Sequence, residues 1–439
     1  MIQRAPKLKP YTSVIVAHSR SFTMSCPCFI VPPHLLRAIS ESSQNPEEVR
    51  KAAAQSLAAH TEVRAARQEH IANLTQPRGA KERGGAVQTS PFIPEHLLKE
   101  LATSDSVDEE TRSRAKKDLG HLQEILSKIP AVQEALAARE RARRESSAAI
   151  SRAVYDAGHS QSTWRLPGKA ERAEGEPAVE DEDVNEAYDN VGHVLKFYKE
   201  FFNWNSIDNK NMKVVSTVHF GDHFENAFWF PDKQQMVFGD GNTFLRNFTG
   251  CIDVIGHELT HAVTDYTSPL KYKGQSGALN EHVSDVFGIM VKQRVENETA
   301  EMADWLIGEY CLLPGVKGVA LRSMKNPGSA YDDPRFNKDP QVDNFSKFEV
   351  ITNDDGGVHI YSGIPNKAFF LVATAFKGFS WEKAGKIWWQ TMTCGKVPFK
   401  CTFRQFADVT VECAEESFGE EAARTVRDAW TQVGVTRGI

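Results

Sequence analysis

Hydrophobic and polar positions divide the chain into three blocks. Apolar residues recur at helical spacing among Ala, Glu, Arg and Leu over residues 24–150, which predicts helices. Between 152 and 250, short β-like runs such as 214–220 and 235–238 alternate with turn signals, and a helical pattern over 183–202 interrupts them. From 250 onward the pattern again predicts helices, over 250–267, 277–298, 363–377, 380–393, 402–417 and 419–433. We therefore expect a mixed α/β half followed by a mostly helical half.

One segment of the first block occurs twice. Residues 30–39 (Ile-Val-Pro-Pro-His-Leu-Leu-Arg-Ala-Ile) align with residues 92–101 (Phe-Ile-Pro-Glu-His-Leu-Leu-Lys-Glu-Leu). Each copy has an extended, proline-containing start that leads into an apolar helix. Residues 74–91 carry Gly and Pro and are typical of a linker between the copies. Two unrelated amphipathic helices can share a Leu-Leu pair, but the length of the agreement favours a duplicated module.

Charge and hydropathy argue against a nucleic-acid-binding protein and against a membrane-spanning one. A net charge of -6 gives no reason to expect a nucleic-acid partner, and no apolar run reaches the roughly 20 residues that cross a bilayer. Residues 1–23 are basic and contain no Asp or Glu, as in a disordered extension or a mitochondrial targeting segment, while a start at Met24 is a further alternative. From this we expect a cytoplasmic or non-classically secreted protein, with mitochondrial targeting as the weaker alternative.

The seven cysteines are sparse and do not form the pattern of a disulfide framework. Cys394 and Cys401 are close enough in sequence to pair, although a reduced protein is the simpler interpretation. The pair Cys26 and Cys28 raises a separate hypothesis. If the chain is made as an inactive precursor of a metalloprotein, a thiolate of this pair could bind the metal ion and block it. Two incidental cysteines are the simpler alternative there.

The sequence around residue 257 has the spacing of a catalytic zinc site. His257 and His261 stand four residues apart, so that a helix places both imidazoles on one face. Glu258 lies beside a metal held by that pair, where it can take a proton from the attacking water. Twenty residues after His261 comes Glu281, in an Asn-Glu pair, and Asp285 follows one helical turn later. A closed structural site that uses Cys251 is the alternative, but structural zinc sites favour several cysteines.

Residues from about 152 to 439 resemble the thermolysin-like metallopeptidases. The resemblance rests on five motifs: 226–229, 253–261, 277–281, 321–324 and 356–360. It implies an α+β fold with a β-rich N-terminal lobe, an α-helical C-terminal lobe and a zinc helix between them. It also implies one Zn²⁺ held by His257, His261 and Glu281, with the fourth position open for water. The first copy of the duplicated motif resembles the propeptide of the protealysin subgroup, whereas the second copy is not part of that pattern.

The resemblance implies catalytic roles around the metal. Glu258 is the general base, and His359 and Tyr272 stabilise the oxyanion of the tetrahedral intermediate. Asp354 orients His359, and Asp285 accepts a hydrogen bond from His257.

Substrate binding is implied in the same way. The groups that match the family's substrate contacts are Asn226, the carbonyl of Ala227, and Arg322, beside an apolar pocket lined by Val254 and Leu321. Such a pocket implies cleavage on the N-terminal side of bulky hydrophobic residues.

One departure from the family concerns calcium. Asp253, Asp304 and Glu309 fit the family's carboxylate pattern, but Lys292 and Leu306 stand where two further carboxylates are expected. An ammonium group in a Ca²⁺ site replaces a ligand by a repelling charge. We therefore expect the double calcium site to be absent, with Lys292 paired to the remaining carboxylates.

These observations predict a zinc-dependent neutral endopeptidase made as a precursor, with peptide or protein substrates. Its parts are the basic segment 1–23, a propeptide-like region 24–150 that acts as an intramolecular inhibitor, and catalytic lobes over 151–265 and 266–439. Cleavage between about 139 and 154 would remove the N-terminal block. The alternative is a latent peptidase-like protein in which this block is a permanent interaction or inhibitory module.

Overall fold

A computed structural model describes residues 29–60, 150–230, 233–242, 244–246 and 248–437, together with Thr103, Glu109, Arg112, Ser113 and Lys116. Contacts divide the chain into two compact units, Met1–Ala65 with Arg152–Ile439, and Ala66–Ser151. In the second unit Thr103, Glu109, Arg112, Ser113 and Lys116 are helical, and Arg112 pairs with Glu109 at 3.1 Å. The second copy of the duplicated motif, 92–101, lies outside the described residues.

The first copy of the motif forms an extended strip followed by a helix. Helix α1 covers Pro33–Glu41, and Pro32 precedes it in an extended conformation that suits the start of a helix. A second helix, α2, covers 47–60 of the described residues. The extended start and the apolar helix predicted for this copy are therefore both present.

Five strands form one mixed sheet. They are β1 Arg152–Asp156, β2 Lys169–Ala173, β3 Val214–Val218, β4 Ala227–Phe230 and β5 Gln235–Phe238, in the spatial order β2-β1-β3-β5-β4. β1, β3 and β5 are parallel, while β2 and β4 pair antiparallel at the two edges. Helix α3, Glu182–Phe202, connects β2 to β3. Asp181 caps its N-terminus, because the carboxylate accepts a hydrogen bond from Val184 N–H.

Two long helices carry the metal motif. Helix α4 covers Ile252–Tyr266 and helix α5 covers Gly274–Glu296. They approach closely where Gly256 faces Gly288, since a Cβ on Gly256 would lie 2.9 Å from the Cα of Gly288. A residue larger than glycine at this crossing would push the helices apart and separate the side chains that they present to each other.

The C-terminal part is helical, as predicted. Its helices are α6 Asp354–Tyr361, α7 Gly363–Phe376, α8 Ala384–Thr393, α9 Phe403–Phe418 and α10 Glu420–Gln432. Two short strand pairs precede them, β6 Leu306–Ile307 with β7 Arg322–Ser323, and β8 Asp332–Asp333 with β9 Asn337–Lys338. The α+β class with a β-rich lobe and a helical lobe is therefore confirmed. Within the described part of the chain, no helix has the length and apolar character required to span a membrane.

Candidate active site

Three ligand atoms from α4 and α5 converge in the interior. His257 and His261 are both buried, and their Nε2 atoms lie 3.0 Å apart. Glu281 on α5 brings Oε2 to 3.5 Å from Nε2 of His257 and Oε1 to 3.8 Å from Nε2 of His261. One ligand atom from each of these residues lies within 4.8 Å of the others.

The donor set fits a zinc ion. Nδ1 of His257 lies 2.8 Å from Oδ1 of Asp285, and Nδ1 of His261 lies 2.5 Å from Oδ1 of Asn280. Those oxygens accept hydrogen bonds, so each ring carries its proton on Nδ1. Burial lowers the pKa of His261 to about 3, which keeps that ring neutral. The two Nε2 atoms face each other beside a carboxylate, and a cation between them would be bound by all three groups.

Glu258 lies beside this set without being part of it. Its side chain is fully buried, and its Oε2 accepts a 2.8 Å hydrogen bond from the backbone N–H of Trp229. Burial raises the pKa of Glu258 well above its ordinary value. A carboxylate with raised proton affinity is suited to take a proton and then return it.

Asp285 connects the metal ligand His257 to Arg322. It accepts from Nε and Nη2 of Arg322 at 3.0 and 2.8 Å, and from Nδ2 of Asn366 at 2.9 Å. Burial alone would favour the neutral acid, but Arg322 and His257 hold the pKa of Asp285 well below its usual range. Asp285 is therefore charged and fixes the ring of His257.

A second group of donors faces Glu281 from the helical lobe. The hydroxyl of Tyr272 donates to Oε1 of Glu281 and lies 3.4 Å from Nε2 of His359. Nδ1 of His359 lies 2.6 Å from Oδ1 of Asp354, whose Oδ2 accepts from the backbone N–H of His359 at 3.0 Å. Burial lowers the pKa of His359, but the nearby carboxylates of Asp354 and Glu281 raise it by a larger amount. The net shift of the pKa is therefore upward.

The groups matched to substrate binding hold the first copy of the duplicated motif. The N–H of Ile30 donates to the carbonyl of Ala227 at 3.1 Å, and Nη1 of Arg322 donates to the carbonyl of Ile30 at 3.1 Å. The amide of Asn226 accepts from Val31 N–H at 2.8 Å and donates to its carbonyl at 3.1 Å. Phe29 forms an antiparallel bridge with Phe228, so this strip lies along the edge strand β4.

The two residues expected to line the apolar pocket are buried. Val254 is in the first turn of α4, and Leu321 directly precedes Arg322. The side chain of Leu321 lies against Gly308, and its N–H donates to the carbonyl of Ile307 at 3.0 Å.

Sequence reasoning missed two residues of the site. Asn280 orients His261, and Asn366 supports Asp285 from helix α7. Asn280 had a signal, because it is half of the Asn-Glu pair that contains Glu281. Asn366 had none, because it lies 81 residues from Asp285.

Lys292 occupies the centre of the carboxylate cluster near the end of α5. Its Nζ lies 3.1 Å from Oδ2 of Asp304, 2.9 Å from Oε2 of Glu309 and 3.4 Å from the carbonyl of Leu306. Burial opposes the charge, but Asp253, Glu309 and Asp304 raise the pKa of Lys292. Oδ2 of Asp253 accepts instead from Gly308 N–H at 2.7 Å.

A second group of possible ligands, Asp181, Asp183 and His219, lies nearer the surface. Both ring nitrogens of His219 are engaged, Nδ1 with Asp240 and Nε2 with Asp181, each at 2.8 Å. The hydrogen bond that His219 donates to Asp240 outweighs the effect of burial and, with the one to Asp181, raises the pKa of His219 to about 10. The ring is therefore protonated at neutral pH and offers no lone pair to a metal.

The pairing of Cys394 with Cys401, which was the less favoured interpretation of the sequence, is not present among the described residues. Cys394 faces Cys413 rather than Cys401, and the hydrogen bond from Cys413 lowers the pKa of Cys394 to about 6. The thiol of Cys401 lies 3.4 Å from the carbonyl of Thr402. Cys251 is outside the group formed by the zinc ligands and contacts Cys311 instead. Cys26 and Cys28 lie outside the described residues.

Comparisons with known proteins agree with this geometry. Residues 137–265 match the catalytic domain of the thermolysin metallopeptidases, and 268–435 match their alpha-helical domain. Protease PrtS of Photorhabdus sp. (strain Az29) is 46% identical over 290 residues, which cover 65% of this chain and 76% of the relative. The precursor of protealysin, a metalloproteinase from Serratia proteamaculans, has a TM-score of 0.70 and 36% identity, and covers 93% of this chain and 100% of its own.

The propeptide match falls on the second copy of the motif. Residues 91–134 match the protealysin propeptide. The expectation that the second copy stands outside the protealysin pattern was therefore wrong. The two copies have similar sequences, and the His-Leu-Leu core that resembles the propeptide occurs in both.

The expected location was also wrong. An extracellular metalloprotease of Pectobacterium carotovorum subsp. carotovorum is 42% identical over 354 residues, which cover 78% of this chain and 95% of the relative. This relative contradicts a cytoplasmic or mitochondrial location, which was inferred from sparse cysteines and a basic N-terminal segment. With its catalytic domain, its helical domain and its propeptide segment all matched, the chain belongs to the thermolysin-like metallopeptidases and carries a segment that matches the protealysin propeptide.

Proposed function

We propose that this metallopeptidase is a zinc endopeptidase that cuts on the N-terminal side of bulky hydrophobic residues and is kept latent by its own first propeptide-like copy. One observation carries the proposal. The backbone of Ile30 and Val31 makes its hydrogen bonds with Ala227, Arg322 and Asn226, the groups matched to substrate binding.

The ligand set assigns one Zn²⁺ to His257, His261 and Glu281. When bound, zinc polarises the scissile carbonyl and makes water more acidic. Glu258 takes the proton from the attacking water and passes it to the leaving amine, which its raised pKa favours. Tyr272 and His359, whose pKa is raised, donate hydrogen bonds to the oxyanion.

Positioning residues support these groups. Asp354 holds Nδ1 of His359 at 2.6 Å and thereby directs Nε2 towards the reacting carbonyl. Asp285 fixes His257 and at the same time clamps two nitrogens of Arg322. The remaining nitrogen of Arg322, Nη1, then donates to a substrate carbonyl, which takes the place of the Ile30 carbonyl.

The same contacts support the proposed specificity. In the proposed substrate complex, the residue that follows the scissile bond takes the position of Ile30 and makes the same backbone hydrogen bonds. The side chain of Ile30 is fully buried, and Val254 and Leu321 are proposed to line its pocket. A buried apolar pocket at that position favours Leu, Phe or Ile over small or charged residues.

Latency is proposed to come from residues 29–60. Leu35, Leu36 and Ile39 of helix α1 are buried, and the amide of Asn45 donates to the carbonyls of Ile39 and Arg335 at 2.9 and 3.0 Å. Residues 24–150 would then be a propeptide-like region, removed by cleavage between about 139 and 154, ahead of catalytic lobes over 151–265 and 266–439.

We also propose that Lys292 replaces the family's double calcium site. Its ammonium group lies 3.1 Å from Asp304 and 2.9 Å from Glu309. A side chain therefore supplies positive charge where Ca²⁺ would bind, and it repels an added cation.

The test uses two forms of the enzyme and one series of peptides. Peptides that differ only in the residue after the scissile bond (Leu, Phe, Ile, Gly or Asp) are incubated with the intact precursor and with the processed form. The proposal predicts slow cleavage by the precursor, and fast cleavage before Leu, Phe and Ile by the processed form. Equal rates for all five residues would contradict the specificity. A precursor that is never processed and never cuts would favour the permanent-module alternative.

A further inference from the structure

Two buried thiols lie next to each other at the start of α4. The Sγ atoms of Cys251 and Cys311 are 3.0 Å apart, and the two residues are 1% and 0% exposed. Cys251 directly precedes α4, and Cys311 ends the short helical turn Glu309–Cys311. A disulfide bond is about 2.05 Å long, so the two sulfur atoms need to approach by only about 1 Å to reach it.

The backbone already holds the two segments side by side. The N–H of Arg246 donates to the carbonyl of Cys311 at 3.1 Å, and the N–H of Leu313 donates to the carbonyl of Phe244 at 2.9 Å. On the other side, Gly308 N–H donates to Asp253 at 2.7 Å. These hydrogen bonds hold the two cysteines beside each other, so that only a short approach of the sulfur atoms remains.

We propose that Cys251 and Cys311 form a disulfide bond when the chain folds under oxidising conditions. The loop closed by this bond contains His257, His261 and Glu281, which are the whole proposed ligand set. A cross-link removes conformations from the unfolded chain and so stabilises the folded one. The bond would thus stabilise the part of the chain that holds the metal.

The chemistry needs an oxidant, which is a low-molecular-weight disulfide such as oxidised glutathione. The thiolate of one cysteine attacks the oxidant, forms a mixed disulfide and releases one glutathione thiolate. The thiolate of the other cysteine displaces the second glutathione. The two cysteines lose two protons and two electrons, and one oxidised glutathione becomes two reduced molecules.

Burial determines when the bond can form and break. In the folded chain the neighbouring Cys311 and burial raise the pKa of the Cys251 thiol well above its ordinary value, which leaves little thiolate. We therefore expect the bond to form before the site closes during folding. Once formed, it should resist reductants until the protein unfolds.

The experiment begins with the full chain refolded in oxidised and reduced glutathione. Free thiols are alkylated in denaturant without reductant, and the digest is analysed by mass spectrometry. A cross-linked peptide pair that contains Cys251 and Cys311, two hydrogens lighter than the sum of its parts, is expected. Recovery of both cysteines in alkylated form would overturn the proposal.

Thermal unfolding measures the effect of the bond. Wild type with the bond should melt roughly 5 °C or more above wild type refolded under reducing conditions. Cys251→Ser and Cys311→Ser should melt at one temperature under both conditions, whereas Cys401→Ser, another buried cysteine, should keep the difference. If the oxidised and reduced forms of Cys311→Ser still differ in melting temperature, another pair of cysteines causes the difference and the proposal is wrong. If the serine variants do not fold, the peptide map of the wild type still decides.

Discussion

Arg322 donates a 3.1 Å hydrogen bond to the carbonyl oxygen of Ile30, although 292 residues separate them in the chain. The other two nitrogens of the same guanidinium hold Asp285, which in turn fixes His257. One side chain thus joins the proposed metal site to the segment that lies in the cleft. Release of that segment would free the Nη1 donor without disturbing the ligand set.

Apolar contacts of the first copy should decide whether the precursor is latent. Leu35 and Leu36 are 2% and 0% exposed, and removing a buried leucine side chain weakens packing by about 2–5 kcal/mol. We predict that Leu35→Ala with Leu36→Ala raises the initial rate of peptide hydrolysis by the unprocessed chain roughly 10-fold or more. The rate is measured while the mass is still that of the full chain.

The second copy supplies the matched control. Leu97→Ala with Leu98→Ala makes the same change at the equivalent positions. This variant should stay as slow as wild type. An equal rise in both variants, or in neither, would contradict the role given to the first copy.

The helices around the site show which parts of the fold a sequence pattern reveals. α9 and α10 have one exposed face, and the predicted ranges 402–417 and 419–433 agree with Phe403–Phe418 and Glu420–Gln432 to within one residue at each end. α5 was predicted to begin at 277 and begins at Gly274, because 276–293 are buried on all sides and apolar periodicity is weak there.

Two other elements had misleading signals. α6 was missed because Asp355, Gly356 and Gly357 have φ values of 52, 88 and 82°, which leave only its later residues helical. β2 was missed because Lys169–Ala173 is polar, as suits the edge of the sheet.

The candidate site likewise contains some residues that a local sequence pattern predicts and others that it does not. His257, Glu258 and His261 follow from spacing on one helix, since four residues make about one turn. The placement of Ile30 against Arg322 depends on the tertiary fold, and no local pattern encodes it. Asn366 was missed for the same reason.

Calcium should have little effect on the stability of the wild type. Lys292 already lies 2.9–3.1 Å from Glu309 and Asp304, so its ammonium group repels an added cation. We predict that millimolar Ca²⁺ leaves the melting temperature nearly unchanged. Lys292→Met should lower stability by about 3–5 kcal/mol, because it leaves the carboxylates without their partner. A large rise in the wild-type melting temperature on adding Ca²⁺ would show that the double site is intact.

His359 should act on turnover more than on binding. In its proposed role it donates a hydrogen bond to the oxyanion, and loss of one oxyanion donor lowers kcat by roughly 100- to 1,000-fold. We therefore predict such a loss in kcat for His359→Gln, with KM nearly unchanged and the zinc content the same as in wild type. A lower zinc content would instead indicate that His359 supports the metal ligands.

His219 should make stability depend on pH. Its pKa is raised from 6.5 to about 10, so its stabilising effect is full below pH 6.5 and is lost as pH rises towards 10. His219→Asn should therefore lower the melting temperature more at about pH 6 than at about pH 10. Asn suits the left-handed backbone at this position, where φ is 54°.

His223→Asn is the control for that comparison. His223 also has a left-handed backbone, with φ of 56°, but its side chain is 62% exposed. Its substitution should change the melting temperature little at either pH. A His219 effect that stays constant with pH would contradict the ion-pair explanation.

If Glu258 is the general base, as proposed, the chain should be able to remove its own N-terminal block. The most direct test follows the intact mass of purified wild type over time, beside Glu258→Gln. We predict that the wild type loses the block, with a new N-terminus between about 139 and 154, while the variant stays at full length. If both proteins stay whole, or if both lose the block at the same rate, self-processing by Glu258 is contradicted.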